Sequence, residues 1–246
     1  HLSLVAAAKA VCDRVIVTIF VNPKQFNQAS DLAGYPRTEE EDARKLERFS
    51  VDAIYAPGVD QIYPDGFSTN VSVTGLTDVL CGALRAGHFD GVATVVSKLF
   101  TQTSAEKAFF GEKDFQQLMV VTRLARDLDI PVEVIGCPTI REDDGLAMSS
   151  RNLLLSDRAR VYAPRLHEVM EEVADALGHG ASFADLQGDA MAAIRAAGFT
   201  EVDYFELRAH AGLRLLDTPS EPARLFAAAW LAGVRLIDNI DVPIRN

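Results

Sequence analysis

The sequence has little cysteine, no long apolar run and no excess of positive charge, and each absence excludes a class of protein. Its three cysteines (Cys12, Cys81 and Cys137) are odd in number and far apart, which argues against a disulfide framework and favours a reducing cytoplasm. No apolar stretch approaches the roughly 20 residues of a membrane-spanning helix, so no membrane partner is expected. With 35 acidic and 24 basic residues, the net charge of −11 repels a phosphate backbone, so nucleic acid is not an expected partner.

Alternating helix and strand patterns run through the first half of the chain. Residues 15–20 form a continuous apolar and β-branched run, which predicts a strand buried on both faces of a parallel sheet. Further strands are predicted at residues 51–55, 108–110 and 132–135, with helical patterns between them. This βαβα order indicates an α/β domain with a parallel sheet.

The pattern changes after Pro138. Two helices are predicted at residues 157–177 and 183–197, followed by three strands at residues 202–207, 224–230 and 234–237. Helices grouped with an antiparallel sheet are typical of an α+β domain. We therefore predict two domains, residues 1–139 and residues 140–246.

The stretch KAFFGEKDFQQL, residues 107–118, is the first candidate for chemistry. It reads as strand, turn and helix N-terminus, and the turn consists of Gly111, Glu112, Lys113 and Asp114. A glycine there admits a close ligand, and the free N–H groups of a helix N-terminus favour an anion. The alternative is a solvated turn in which Asp114 caps the helix and Gln117 completes a capping box.

The run from Met148 to Arg151 is the second candidate. Ser149 and Ser150 offer hydroxyl and N–H groups at a predicted helix start, and Arg151 can grip phosphate oxygens with two hydrogen bonds. The alternative is an ordinary N-cap beside a surface arginine. Together with the turn at residues 111–114, this run predicts a phosphate clamp.

Three further groups have both a functional and a structural interpretation. Asn22 and Gln25 follow a predicted strand, where α/β sheets bind ligands, or they are ordinary loop residues. Glu41 and Asp42 complement the helix dipole or hold Mg²⁺ beside phosphates. His88, at a glycine-bounded helix start, faces a pocket or is structural.

Five motifs, in order and spacing, resemble the pantothenate synthetase family. They are NPKQF (residues 22–26), Asp31 with YPRT (35–38), HF with GV (88–92), FGEKD (110–114) and MSSRN (148–152). The resemblance covers nearly the whole chain. It implies a Rossmann-like nucleotidyltransferase domain with an HxGH signature, and a smaller C-terminal domain that acts as a lid. It also implies an enzyme that condenses pantoate with β-alanine through pantoyl adenylate, releasing AMP and pyrophosphate.

The resemblance further implies a role for each matched residue. The implied nucleotide-binding residues are Gly111, Glu112, Lys113, Asp114, Ile140, Met148, Ser149, Ser150 and Arg151. The implied substrate-binding residues are Gln25, Gln117, Asn22, Tyr35 and His88. The implied catalytic residues are His1, Lys113, Ser149, Ser150 and Arg151, and the implied Mg²⁺ ligands are Glu41 and Asp42. ATP is the expected cosubstrate, and the family is typically a homodimer.

The chain begins with His1 rather than methionine. His1-Leu2 resembles the second half of the HxGH signature, and a helix at the start of an alternating pattern predicts a preceding strand. We expect poor catalysis from a chain that starts at His1. Two other hypotheses stay open: a related nucleotidyltransferase with another acceptor, and a nucleotide-binding protein without catalytic activity.

Overall fold

The computed structural model describes residues 1–25 and 39–244 and divides into two compact units, His1–Pro138 and Thr139–Asn246. The helices are α1 (Leu2–Val11), α2 (Glu39–Glu47), α3 (Val59–Ile62), α4 (Leu80–Leu84), α5 (His88–Thr103), α6 (Phe115–Asp127), α7 (Asp157–Tyr162), α8 (Arg165–Gly178) and α9 (Phe183–Ala196). The strands are β1 (Ile16–Thr18), β2 (Ala53–Tyr55), β3 (Lys107–Gly111), β4 (Glu133–Cys137), β5 (Glu201–Ala209), β6 (Ala223–Leu231) and β7 (Val234–Val242). Within the described residues, no helix is long and apolar enough to cross a bilayer.

The first unit contains two parallel strand pairs. β1 pairs with β2, and β3 pairs with β4, which confirms the predicted parallel pairing. Across the described residues these strands form two pairs rather than the one continuous sheet that the pattern predicted. An open cleft of about 1360 Å³ is lined by residues of both β1 and β3.

The prediction that β1 is buried on both faces is wrong. β1 covers only Ile16–Thr18, and the Ile16 side chain is 40% exposed. Residues of β1 border the cleft, and Ile16 and Thr18 are exposed. A continuous β-branched run identifies a strand, but burial depends on what packs against it.

The second unit is an antiparallel sheet in the order β5-β6-β7, with two helices against it. This confirms the predicted α+β character. The core lies between one face of the sheet and the helices α8 and α9, with Leu166, Met170, Ile194, Leu207 and Leu225 almost completely buried. The helix predicted at residues 157–177 is instead two helices, α7 and α8. Pro164 separates them because proline has no N–H to donate to the helical ladder.

A short hairpin, residues 140–148, lies near the start of the second unit. The N–H of Met148 donates to the carbonyl of Ile140 at 2.9 Å, and that of Glu142 donates to Leu146 at 2.8 Å. Gly145 lies in the hairpin turn with φ +87°, and a Cβ there would lie 2.8 Å from Cδ2 of His167 in α8. Both the backbone conformation and the close packing therefore require glycine.

Replacing this glycine should destabilise the second unit. We expect Gly145→Ala to lower the free energy of unfolding by about 1–3 kcal/mol, because it combines left-handed backbone strain with a clash. Trp230 in β6 is the only tryptophan of the sequence, so its fluorescence in a urea titration reports on this unit. Gly188→Ala is the matched control, since a Cβ at that α9 position meets no atom within 4 Å. Helix propensity should make it neutral or stabilising by about 1 kcal/mol. Equal changes in the free energy of unfolding for Gly145→Ala and Gly188→Ala would contradict the requirement for glycine at position 145.

Candidate active site

The turn after β3 has the predicted order of strand, turn and helix. Gly111 ends β3, a 3₁₀ helix covers Glu112–Asp114, and α6 begins at Phe115. Asp114 is the N-cap residue of α6, but its side chain forms no capping hydrogen bond, so the capping box of the alternative interpretation is not formed. Lys113 is half-buried in this turn.

Gly111 faces open space. A Cβ at this position would meet no described protein atom within 4 Å, and its φ of −75° suits any residue. Neither internal packing nor backbone conformation within the described protein therefore requires glycine here. The turn presents backbone to a space that a ligand can occupy.

Two adjacent glutamines at the start of α6 have different environments. Gln116 is only 6% exposed; its amide donates to the carbonyls of Leu76 (2.8 Å) and Val79 (2.7 Å) and accepts from the N–H of Cys81 (3.1 Å). Gln117, the predicted pantoate-binding residue, is half-buried.

The sequence interpretation missed the structural role of Gln116. The available signal was its spacing from Val120 and Leu124, which places all three on one helix face. Both of these residues are buried. Gln116 therefore anchors α6 against the segment that leads into α4, and this fixes the helix on which Gln117 is carried.

The loop after β1 is held by Asn22. Its side chain is 1% exposed, and its Nδ2 donates to the carbonyl of Gly91 (2.9 Å) and to Oε1 of Gln25 (3.4 Å). Its Oδ1 accepts from the N–H of Lys24 (3.2 Å) and the hydroxyl of Tyr63 (2.8 Å). Burial raises the pKa of Tyr63 to about 12, so this hydroxyl remains a donor at neutral pH. Asn22 thus positions the loop, and a direct contact with substrate stays a prediction.

His88 holds the backbone of Gln25. Its Nδ1 lies 2.8 Å from the Gln25 carbonyl, and its Nε2 lies 3.4 Å from Nη1 of Arg85. Because arginine only donates, Nε2 is the acceptor and the proton is on Nδ1. The Arg85 guanidinium also donates to the Gln25 carbonyl at 3.2 Å. These contacts support the structural interpretation of His88, and binding of substrate by His88 stays a prediction.

Gly91 allows helix α5 to pack directly on this loop. A Cβ at Gly91 would lie 2.5 Å from the carbonyl oxygen of Lys24 and 2.9 Å from the amide nitrogen of Gln25. Backbone atoms cannot move aside as a flexible side chain can, so only glycine fits. The sequence contained the glycine in its HFDGV run, but nothing in the run indicated which loop would lie against it.

Glu41 of α2 is exposed, whereas Asp42 borders the cleft between β1 and β3. Oε1 of Glu41 pairs with Nζ of Lys45 at 2.7 Å, one turn along the helix, and this hydrogen bond lowers the pKa of Glu41. Asp42 is half-buried. Among the described residues, no group of three or more His, Cys, Asp or Glu side chains is placed to hold a metal ion. The arrangement fits the helix-dipole interpretation of these acids.

The second unit brings Ile140 and the run from Met148 to Arg151 together at the open end of the hairpin. Ile140 and Met148 are cross-strand neighbours, and their side chains are 47% and 54% exposed. Ser149 caps the 3₁₀ helix Ser150–Leu154, with its Oγ accepting from the N–H of Arg151 at 3.2 Å. The predicted helix start is therefore a 3₁₀ helix.

Carboxylates of the hairpin anchor it to neighbouring elements. Arg160 in α7 donates to Glu142 and to Asp144 at 2.6 Å each, and Asn152 donates to Glu142 at 2.9 Å. The hydrogen bond from Arg160, followed by that from Asn152, lowers the pKa of Glu142. Arg160 likewise lowers the pKa of Asp144. A carboxyl group whose pKa is lowered in the folded state stabilises the fold at pH values above its ordinary pKa. This contribution is lost as the pH falls through the lowered pKa.

His1 and Tyr35, the two other predicted site residues, differ in whether the structure describes them. His1 is the exposed N-cap of α1 and borders the cleft between β1 and β3, as Phe110 does. Tyr35 lies outside the described residues, as do Asp31 and the rest of the YPRT motif.

The chain is similar in sequence to one protein family and to individual proteins of the same kind. A family model described as Pantoate-beta-alanine ligase matches residues 1–241. A pantothenate synthetase of Roseobacter denitrificans is 80% identical over 100% of this chain and 87% of that protein. A pantothenate synthetase of Ruegeria pomeroyi is 67% identical over 100% of this chain and 86% of that protein.

Solved structures give the same result. The crystal structure of pantothenate synthetase from Thermus thermophilus has a TM-score of 0.94 and 44% identity, covering 98% of this chain and 88% of that one. The pantoate-beta-alanine ligase of Francisella tularensis, complexed with beta-gamma ATP and β-alanine, has a TM-score of 0.83 and 34% identity. This match covers 98% of this chain and 84% of that one.

The contact between α5 and the loop predicts that Gly91→Ala displaces Gln25. We expect amide hydrogen exchange in residues 22–25 to accelerate about tenfold or more, because a shift costing about 1.4 kcal/mol changes an opening equilibrium tenfold. Mass spectrometry of the peptide that contains these residues measures this. Gly178→Ala, where a Cβ meets no atom within 4 Å, should leave the same peptide unchanged. Unchanged exchange in Gly91→Ala would show that the loop is held without this contact.

Proposed function

Because the chain belongs to the pantoate-beta-alanine ligase family, we propose how its own residues carry out that family's reaction. The enzyme condenses pantoate with β-alanine to form pantothenate and uses ATP to activate the pantoate carboxylate. The observation that carries this conclusion is the family match over residues 1–241, together with 80% identity to a pantothenate synthetase.

The reaction brings anions together in two steps. A carboxylate oxygen of pantoate attacks the α-phosphorus of ATP, pyrophosphate leaves, and pantoyl adenylate forms. The amine of β-alanine then attacks the acyl carbon, and AMP leaves with the bond electrons. Cations and N–H donors must offset the repulsion between the carboxylate and the polyphosphate.

In the first unit, the turn of Gly111 and Lys113 is the proposed site for ATP phosphates. Support comes from the open space beside Gly111, which lets a phosphate approach the backbone closely. A 3₁₀ helix followed by α6 begins directly after Gly111, and the first N–H groups of a helix lack intrahelical partners and favour an anion. Lys113 adds a cation on a flexible stem, and its proposed role is to stabilise charge on the phosphates. Glu112 and Asp114 shape this turn, and His1 is proposed to donate to the leaving phosphates.

Pantoate is assigned to the amides of Gln25 and Gln117. A neutral amide holds both hydroxyls and a carboxylate without placing another charge in the site. Support comes from the contacts around Gln25: Asn22 donates to its side-chain Oε1, and His88 and Gly91 contact its backbone. Such pre-positioning lowers the entropy cost of aligning the carboxylate for attack.

In the second unit, the proposed nucleotide contacts are at the open end of the hairpin. The exposed side chains of Ile140 and Met148 offer an apolar surface to a base, and Ile140 offers backbone to adenine. The hydroxyls of Ser149 and Ser150 and the guanidinium of Arg151 are assigned to phosphate oxygens, which arginine binds with paired hydrogen bonds.

Magnesium is proposed only as the ion that accompanies ATP. The described residues do not form a protein-only magnesium site, because Glu41 pairs with Lys45 and no cluster of ligands is present among them. Magnesium is usually held by one or two carboxylates, waters and the phosphates themselves. A cytoplasmic homodimer is also proposed, on the resemblance to the family.

Exchange of labelled pyrophosphate into ATP tests the activity. In an intact chain we expect exchange that depends on pantoate, and a loss of about 100-fold or more in kcat for Lys113→Met, the size typical of removing one charge-stabilising donor. Lys107→Met is the matched control, because Lys107 begins β3 and pairs with Glu133 at 3.2 Å on the surface. It should retain full exchange. Exchange that ignores pantoate would instead indicate a nucleotidyltransferase with another acceptor.

Gly111→Ala tests the close approach of nucleotide to the backbone. We expect the free energy of unfolding to change by no more than about 0.5 kcal/mol, since the added methyl meets no described protein atom. The KM for ATP should rise about tenfold, which corresponds to about 1.4 kcal/mol. Urea unfolding and steady-state kinetics measure the two effects separately. A normal KM for ATP would place the nucleotide elsewhere.

A further inference from the structure

Asn152 closes the run from Met148 to Arg151 into a compact turn. Its side-chain Nδ2 donates to the carbonyl of Ala147, the residue before Met148, at 3.1 Å. Its backbone N–H donates to the carbonyl of Ser149 at 3.0 Å. The residues assigned to phosphate therefore lie inside a ring of chain whose two ends are joined through Asn152.

The second Nδ2 hydrogen of Asn152 goes to Oε1 of Glu142 at 2.9 Å. Glu142 is in the hairpin, where its backbone N–H bonds to Leu146, and its other oxygen accepts from Arg160 at 2.6 Å. One carboxylate thus joins the hairpin, α7 and the turn. The Oδ1 atom of Asn152 is buried with no hydrogen-bond partner among the described residues, so the two Nδ2 bonds define the orientation of the amide.

Asp144 provides an internal comparison. It lies two residues further along the same hairpin and accepts from the same Arg160 at the same 2.6 Å. Its second oxygen, Oδ1, accepts from the N–H of Leu146. The two carboxylates therefore share the ion pair with Arg160, while the hydrogen bond to Asn152 belongs to Glu142.

We propose that Glu142 is a positioning residue for adenylate formation, which through Asn152 sets the geometry of the Met148–Arg151 turn and so the affinity for ATP. This rests on the proposed function, in which Ser149, Ser150 and Arg151 bind phosphate. Without the Glu142 carboxylate, one of the two bonds that orient the Asn152 amide is lost, and the ring closed by Asn152 loosens. The hydroxyls and the guanidinium then have a larger ordering cost when ATP binds.

Steady-state kinetics of Glu142→Ala and Asp144→Ala test the proposal. We expect Glu142→Ala to raise the KM for ATP about tenfold, the size of one lost hydrogen bond to a charged group, with little change in kcat. Asp144→Ala should leave the KM for ATP within about twofold of the wild type. Glu142→Gln should give a KM for ATP between those of Glu142→Ala and the wild type, since its single carbonyl oxygen can still accept from Asn152 while its Nε2 cannot accept from Arg160. Equal rises in KM for Glu142→Ala and Asp144→Ala would overturn the proposal, because the ion pair with Arg160 would then account for both.

Amide hydrogen exchange of the same variants, without substrates, separates this proposal from the proposed function. Exchange at residues 149–152 should accelerate in Glu142→Ala and stay near the wild-type rate in Asp144→Ala. If the turn stays ordered in Glu142→Ala, or if it loosens without any rise in the KM for ATP, the proposal is overturned. If the wild type shows no pantoate-dependent exchange of pyrophosphate into ATP, the proposed function fails. Faster amide hydrogen exchange at residues 149–152 in Glu142→Ala, but not in Asp144→Ala, would still assign the ordering of the turn to Glu142.

Discussion

An acidic protein that joins a carboxylate to a polyphosphate must collect its positive charge and N–H donors where the anions meet. The net charge of −11 opposes both substrates at long range, so binding depends on short-range contacts. The chain offers such contacts at the ends of its elements: the turn after β3, the loop after β1 and the turn after the hairpin. Free N–H groups are concentrated at such ends.

Buried or partly buried amide side chains hold these turns in place. Asn22, Gln116 and Asn152 each use Nδ2 or Nε2 for two hydrogen bonds to groups of the protein, most of them backbone carbonyls. An amide can satisfy backbone donors and acceptors without bringing a charge into the interior, where an unpaired charge is costly. Each of these residues lies beside a predicted ligand-binding residue, so the supporting layer and the site are built together.

Much of the fold could be predicted from the sequence because local pattern decides it. The parallel pairing of the first unit followed from alternating strands and helices, and the antiparallel sheet followed from closely spaced strands after the second pair of helices. The errors came where a distant contact or a single residue decides. The exposure of Ile16 depends on the cleft, and the break between α7 and α8 depends on Pro164.

The sequence by itself determined the family and the kind of chemistry, because motifs such as FGEKD and MSSRN keep reactive residue types in a fixed order. Only the tertiary structure decided what neighbouring residues of one type do. Gln116 and Gln117 are adjacent and chemically identical, yet Gln116 is bonded to three backbone groups from Leu76, Val79 and Cys81. Gly91 and Gly111 are both glycines in family motifs, yet Gly91 meets backbone at 2.5 Å and Gly111 meets open space. The physical reason is that packing joins segments far apart in the chain, and no local pattern records which segment will arrive.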